Sequence, residues 1–226
     1  MLNCRNSKCQ VFPLLYNILM YFCDCGIVLN SRPLRENDRI VTVFTRSEGK
    51  FEVNFKSVRL QKAKLRALAL PVSCGDYRFF LKKGSNFPIC TGGRTISVYP
   101  AMRANLNSLN MAFHFCELVN RLTPAWQPAE MKFFLLSDAF DELEKNGISF
   151  WLRIAFTLRM LDLAGFGFRN TATGIDAPLW NALHDEPLNM LKNLPEDKYA
   201  ADYADSLAGR IFDNLGIPIL TLPFVK

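Results

Sequence analysis

Near Pro100 the chain changes its period. From about residue 25 to 99 its segments are short, rich in Val, Ile, Phe and Thr, and separated by glycine and turn residues. Beyond Pro100, apolar residues recur every three or four positions and glycine thins out. Strand side chains alternate between two faces, whereas helix side chains return to one face after three or four residues. A chain that carries the two patterns in succession rather than interleaved predicts an α+β fold, strands first and helices after.

The candidate strands are residues 27–29, 39–45, 51–58, 76–81 and 94–98, with breaks at Glu48-Gly49, Lys83-Gly84-Ser85-Asn86 and Thr91-Gly92-Gly93. Five short strands in so little sequence suggest a small barrel or sandwich. After Pro100, Leu106, Leu109, Phe113, Cys116, Leu118 and Leu122 make one helical face, ended by Thr123-Pro124. Pro128 opens a second helix that turns Met131, Phe134, Leu135, Ala139 and Leu143 inward and stops at Asn146-Gly147. Ser149 is the expected N-cap of a third, carrying Leu152, Phe156, Leu158 and Leu163 before Gly165. Further helices are expected over 179–194 and 197–215, the last ending before Gly216.

Residues 11–23 form an apolar run of 13 residues, broken by Pro13 and Asn17 and preceded by Arg5 and Lys8. It lacks a small-residue cleavage pattern and is too short to span a bilayer. We therefore expect the folded sequence to begin near Met20. Residues 1–19 read as an extension extraneous to it, 20–100 as the β domain and 101–226 as the helical domain, and the rival reading makes 11–22 a membrane-peripheral anchor.

Charge is concentrated. Between Arg46 and Arg66 lie seven cations (Arg46, Lys50, Lys56, Arg59, Lys62, Lys64 and Arg66) against Glu48 and Glu52. Twenty cations and nineteen acids remain for the other 205 residues, so this strip carries five of the net six positive charges. In an extended or looped segment the cations would line one side while Phe51, Val53, Phe55 and Val58 pack on the other. Arg32, Arg35 and Arg39 precede the strip and extend the same track. Such a strip suits a phosphate backbone, and a merely solvated face is the alternative. Residues 170–209 hold Asp176, Asp185, Glu186, Glu196, Asp197, Asp202 and Asp205 but only Lys192 and Lys198 as cations. That end would repel a polyanion, so nucleic acid is expected on one face only.

Seven scattered cysteines (Cys4, Cys9, Cys23, Cys25, Cys74, Cys90 and Cys116) suit reduced thiols better than a disulfide framework, and they show no metal-ligand spacing. His114 and His184, the only histidines, stand far apart and read as structural. No compact nucleophile, phosphate-loop or dinucleotide pattern appears, and Gly92-Gly93 reads as a hairpin turn. No residue is a candidate for catalysis, no cofactor is expected, and a nuclease is the rival enzymatic reading.

Several stretches resemble one family in matching order. They are Gly26-Ile27-Val28-Leu29, Arg39-Ile40-Val41-Thr42-Val43-Phe44-Thr45, Glu48-Gly49-Lys50, the basic run from Lys56 to Leu65, Tyr99-Pro100, Glu117-Leu118-Val119-Asn120-Arg121-Leu122-Thr123 and Leu161-Asp162-Leu163-Ala164-Gly165-Phe166. From Gly26 to Leu222 the chain is similar to RecO, the bacterial recombination mediators. The resemblance implies an N-terminal OB-fold barrel and an all-helical C-terminal domain, cytoplasmic and nucleoid-associated, acting without catalysis. It implies binding of single- and double-stranded DNA, strand annealing, association with RecR, and capture of the C-terminal tail of single-stranded DNA-binding protein. Loading of RecA onto coated strands follows, and no membrane is involved.

By position, the DNA-binding run falls on Lys50, Lys56, Arg59, Lys62, Lys64 and Arg66, with Arg39 and Arg46 beside it. Arg121 and Arg153, cations within apolar helical patterns, are candidates for the protein tail. Two departures stand out. Many relatives hold a four-cysteine zinc site shortly after the Gly-Phe element, but Gly165-Phe166-Gly167-Phe168 leads here into Arg169-Asn170-Thr171-Ala172, so no zinc module is expected. Relatives commonly have glycine where Ser57 follows Lys56, which implies a less mobile loop.

Overall fold

A computed structural model of the chain describes residues 19–85, 87–167 and 175–221. Residues 1–18 of the expected 1–19 extension and the 169–172 stretch, where the zinc module was expected to be missing, lie outside the described residues. The chain divides into two compact units. One comprises the residues up to Tyr99 together with Thr123–Phe133, and the other Pro100–Leu122 with the chain from Phe134 onward.

The first unit is a closed barrel of five strands: β1 (Leu19–Pro33), β2 (Arg39–Thr45), β3 (Gly49–Phe55), β4 (Cys74–Lys82) and β5 (Ile89–Ser97), in the order β1-β2-β3-β5-β4. The 15-residue β1 lets the sheet close. Its first half pairs antiparallel with β4, from Leu19↔Lys82 to Ile27↔Cys74, and its second half with β2, from Gly26↔Thr45 to Pro33↔Arg39. One strand thus serves both neighbours by coiling, with an irregularity between Val28 and Asn30. A single parallel pair, Asn54↔Ile89, seals β3 to β5.

Alternation fills the interior: Phe22, Val41, Val43, Phe51, Val53, Phe55, Tyr77 and Phe79 form one buried cluster. Phe51 lies 5.2 Å edge-on from Phe79, whose ring stacks 5.7 Å from Tyr77. Cys25, Cys74 and Cys90 are buried thiols not joined in disulfides, and burial pushes Cys90 up to about 11, so it stays protonated at neutral pH.

Three strand expectations need correction. The first strand starts eight residues earlier than residue 27, because Asp24, Cys25 and Gly26 break its apolar pattern; Asp24 is buried and Gly26 sits in mid-strand. The third strand ends at Phe55 rather than at residue 58, since the chain turns at Ser57, whose φ is 54°. Gly92 and Gly93 belong to β5, not to a hairpin turn. A Cβ at Gly93 would lie 2.3 Å from the Asp76 carbonyl oxygen, so these glycines answer close strand approach rather than chain reversal.

Thr123–Phe133 straps onto this barrel. The Trp126 N–H donates to the Lys50 carbonyl at 2.8 Å, the Trp126 ring stacks on Phe51 with centroids 4.3 Å apart, and Phe133 meets Phe44 edge-on at 5.8 Å. Asp24 holds the adjoining β2–β3 turn by accepting from the N–H groups of Ser47 (2.8 Å) and Glu48 (3.2 Å).

The second unit holds α1 (Pro100–Ala104), α2 (Leu106–Leu122), most of α3 (Glu130–Lys145), α4 (Leu152–Leu163), α5 (Ala177–Asp185) and α6 (Lys198–Asn214). α4 is its centre. Leu152, Ile154, Ala155, Phe156, Leu158, Met160 and Leu161 are all buried, with Phe156 stacked 4.0 Å from Phe115 of α2. A helix enclosed on most sides shows no single apolar face, which is why the expected inward set misplaced Leu163, 40% exposed.

The same rotation error applies to Leu106, Phe113 and Met131, which are exposed, while Met111, Phe115, Val119, Phe133, Leu136 and Phe140 are buried. Ser149 does not cap α4; its hydroxyl is buried without a hydrogen-bond partner among the described residues, and Trp151 precedes the helix. The expected helix over 179–194 breaks at Pro187 into α5 and a 3₁₀ segment, Leu188–Asn193. Asp197 does cap α6, accepting from Ala200 N at 3.0 Å. No helix among the described residues is long and apolar enough to cross a membrane.

Candidate nucleic-acid interface

The connector from Lys56 to Arg66 contains no strand. Leu60 N bonds to Ser57 O, Ala63 N to Leu60 O, Arg66 N to Ala63 O and Ala69 N to Arg66 O, a staircase of three-residue turns at 3.1–3.3 Å. Apolar side chains peg it down. Val58 is 2% exposed, Leu65 packs on the barrel cluster, and Leu68 is buried with its carbonyl accepting from the Tyr77 hydroxyl at 3.2 Å. At the other end, Asp38 Oδ1 accepts from Ser57 N (2.8 Å) and Asn37 O from Arg59 N (3.0 Å), which ties the connector to the β1–β2 turn.

Between these pegs Lys56, Arg59, Lys62, Lys64 and Arg66 are exposed. None of the five makes an ion pair among the described residues; the Arg59 guanidinium donates to the Arg35 carbonyl, at 3.4 Å. Five solvated cations in eleven residues, on a backbone fixed by buried neighbours, can track a polyanion without first breaking internal salt bridges.

The remaining cations of the strip are placed differently. Arg46 is bonded to Glu130 on the strap, with both Nε and Nη2 at 2.7 Å from Oε1. Lys50 is half-buried on β3 beneath the strap bond to its carbonyl. Arg39, at the start of β2, is half-buried; its Nη2 reaches the Ser31 carbonyl at 3.5 Å, and its Nε is buried with no partner among the described residues. Arg32 pairs with Glu52 at 3.0 Å. The exposed cations of the strip therefore lie on the connector rather than on the sheet.

Sequence reading passed over Arg78, Lys82 and Lys83, exposed cations on β4 and just after it. Their signal was the alternation Arg78-Phe79-Phe80-Leu81-Lys82, in which the charged positions share a strand face.

In the helical unit, Arg153 forms a bidentate pair with Asp205 (2.7 and 2.5 Å) that joins α4 to α6, its side chain 16% exposed. Arg121 is 40% exposed and 3.8 Å from Glu117. Burial would raise the Glu117 carboxyl. Hydrogen bonds from Thr221 Oγ, Leu220 N and Thr221 N, with Arg121 nearby, outweigh it and hold the group below the usual range. No cluster of three or more metal-ligating side chains occurs among the described residues.

A closed OB-like barrel with a cationic connector, followed by a helical unit, defines the class of this protein. Within that class the chain belongs to the RecO family. Residues 20–99 match the family model for the Recombination protein O N terminal and residues 103–174 that for the Recombination protein O C terminal.

Among curated relatives, a DNA repair protein RecO of Pelotomaculum thermopropionicum is 30% identical over 147 residues, covering 65% of this chain and 56% of the relative. The DNA repair protein RecO of Clostridium perfringens is 29% identical over 148 residues, 64% of this chain and 58% of the relative. That of Streptomyces griseus is 32% identical over 152 residues, 64% of this chain and 61% of the relative. The matched part of the chain thus spans under two thirds of these relatives' length.

Proposed function

We propose that this chain is a non-enzymatic recombination mediator in DNA repair. Its barrel binds single- and double-stranded DNA through the connector, anneals complementary strands, and with RecR helps load RecA onto strands coated by single-stranded DNA-binding protein. The observation that carries the reading is the set of five exposed connector cations without acidic partners. Charge neutralisation by such a set lets two polyanionic strands approach while their bases stay accessible. The family relationship supports the repair context and motivates the choice of protein partners.

For the tail of single-stranded DNA-binding protein, Arg121 is the better-exposed cation, since Arg153 is held by Asp205. If roughly five to seven phosphates of a single strand are neutralised, log K falls with log salt at a slope of about −3.5 to −5. The test is anisotropy titration of a labelled oligonucleotide across salt, with the Lys56→Ala, Arg59→Ala, Lys62→Ala, Lys64→Ala quadruple variant alongside. Salt-insensitive binding, or full affinity in that variant, overturns the assignment, and Mg²⁺-dependent strand cleavage abolished by one acidic substitution replaces it with a nuclease.

A further inference from the structure

A second feature of the barrel lies on the outer face of β1 and β4. Their register sets Tyr21 opposite Phe80, Cys23 opposite Arg78 and Leu19 opposite Lys82. Phe22 and Phe79, one residue along on each strand, are buried in the core, so Tyr21 and Phe80 point away from it. Tyr21 is 57% exposed, its ring centroid 4.7 Å from that of Phe80 with the planes tilted by 37°. On the far side, Ile89 of β5 is paired with Phe80 and is half-buried. The result is an open apolar bar across three strands.

Two residues to either side of Phe80 on the same face stand the exposed cations Arg78 and Lys82, each about 7 Å along the strand. Arg78 has a specific seat, because a Cβ on Gly92 would come within 3.0 Å of its Nη2 and 3.2 Å of its Nε. The guanidinium thus lies along the β5 backbone, beside the bar rather than over it.

We propose that this face is a stacking platform for the unpaired bases of single-stranded DNA, with Tyr21 and Phe80 under the base and Arg78 and Lys82 on the flanking phosphates. The proposal rests on the DNA-binding reading above and adds to it a site and a strand preference. A cross-strand aromatic pair alone would merely support the sheet. Cations at both ends of the bar give it the charge complementarity of a backbone running over it, and a paired duplex cannot present a base face to it. The connector supplies charge to either form of DNA; the platform discriminates between them.

The experiment uses the full chain with labelled dT20, a 20-base-pair duplex, and a 20-mer of abasic sites. Tyr21→Ala should weaken dT20 binding about 5- to 150-fold, the range for loss of one base-stacking aromatic, and leave duplex and abasic-strand binding within twofold. Tyr21→Phe should keep dT20 affinity, whereas Tyr21→Leu, which preserves apolar cover for Phe80, should lose it as alanine does. Equal dT20 affinity in wild type, Tyr21→Ala and Tyr21→Leu overturns the platform, as does a parallel loss on duplex. Failure of the DNA-binding reading looks different, since the wild-type chain would then bind none of the three probes in a salt-dependent way.

Discussion

Gly49 and Gly84 offer a controlled comparison of what the strap contributes. Both have left-handed backbones, φ 78° and 76°, so alanine at either meets the same local strain of about 1–2 kcal/mol. Their surroundings differ. A Cβ at Gly84 has nothing within 4 Å, whereas one at Gly49 would lie 2.0 Å from the Gln127 carbonyl oxygen and 2.6 Å from its carbon. Restoring ordinary contact requires the strap to move by more than an ångström.

The chain will take the cheaper of two routes, so the extra cost is bounded by what holds the strap at this point. The Trp126 N–H to Lys50 O bond contributes about 1 kcal/mol. Stacking of Trp126 on Phe51 contributes about 0.5–1.5 kcal/mol. The Arg46–Glu130 pair, with side chains 31% and 52% exposed, adds roughly 0.5 kcal/mol after solvent screening. Gly49→Ala should therefore destabilise the barrel by about 2–3 kcal/mol more than Gly84→Ala. Urea unfolding followed by circular dichroism measures the difference, and amide exchange at Trp126 should accelerate in the Gly49 variant alone. Equal costs for the two substitutions would refute the seating of the strap.

Other outcomes follow from single sites. Burial, with the nearby Arg153 charge, lowers His114 to about 4, so its folded value lies below the ordinary 6.5. Stability from this group is complete above pH 6.5 and is lost as pH falls towards 4, by about 3 kcal/mol; chemical denaturation across that range should show the loss, and His114→Gln should lack it. Ser57 sits at φ 54°, so Ser57→Gly should raise barrel stability by up to about 1 kcal/mol in urea unfolding, with its N–H still bonded to Asp38. Arg153→Met removes one partner of the clamp on Asp205 and should cost about 2 kcal/mol in thermal or urea unfolding while leaving DNA affinity within twofold.

The succession of strands and helices was legible because period 2 and period 3.6 differ even in a single sequence, and the break at Pro100 coincides with the end of β5 and the start of α1. Strand limits were less so. β1 reads poorly because a coiled strand shared by two neighbours tolerates Asp24 and Gly26 in mid-course, and Asp24 is buried for its bonds to the β2–β3 turn rather than by hydrophobicity. Helix phases went astray where a helix is enclosed on most sides, as α4 is, since apolar residues then fall on more than one face. The strap was invisible: Trp126, Gln127 and Glu130 lie some eighty residues from Phe51, Gly49 and Arg46, and no local pattern announces so distant a contact.

The candidate interface shows a further asymmetry between charge and geometry. Composition located the positive strip but treated its seven cations alike, whereas the fold sorts them by what lies beneath. On the sheet and its β2–β3 turn the outward side chains share their surroundings with neighbouring strands and the strap, so a cation there is drawn into local partnerships, as Arg46 in the turn is with Glu130. On the connector, the backbone satisfies its own hydrogen bonds turn by turn and the apolar pegs Val58, Leu65 and Leu68 take the inward positions. The intervening Lys and Arg residues are left with solvent as their default partner. On the proposed reading an incoming phosphate would compete there with water and counterions, not with a carboxylate, and release of those counterions would drive association. For the proposed binding, the turn staircase would thus matter more than the density of lysine and arginine, because it keeps their charge uncommitted.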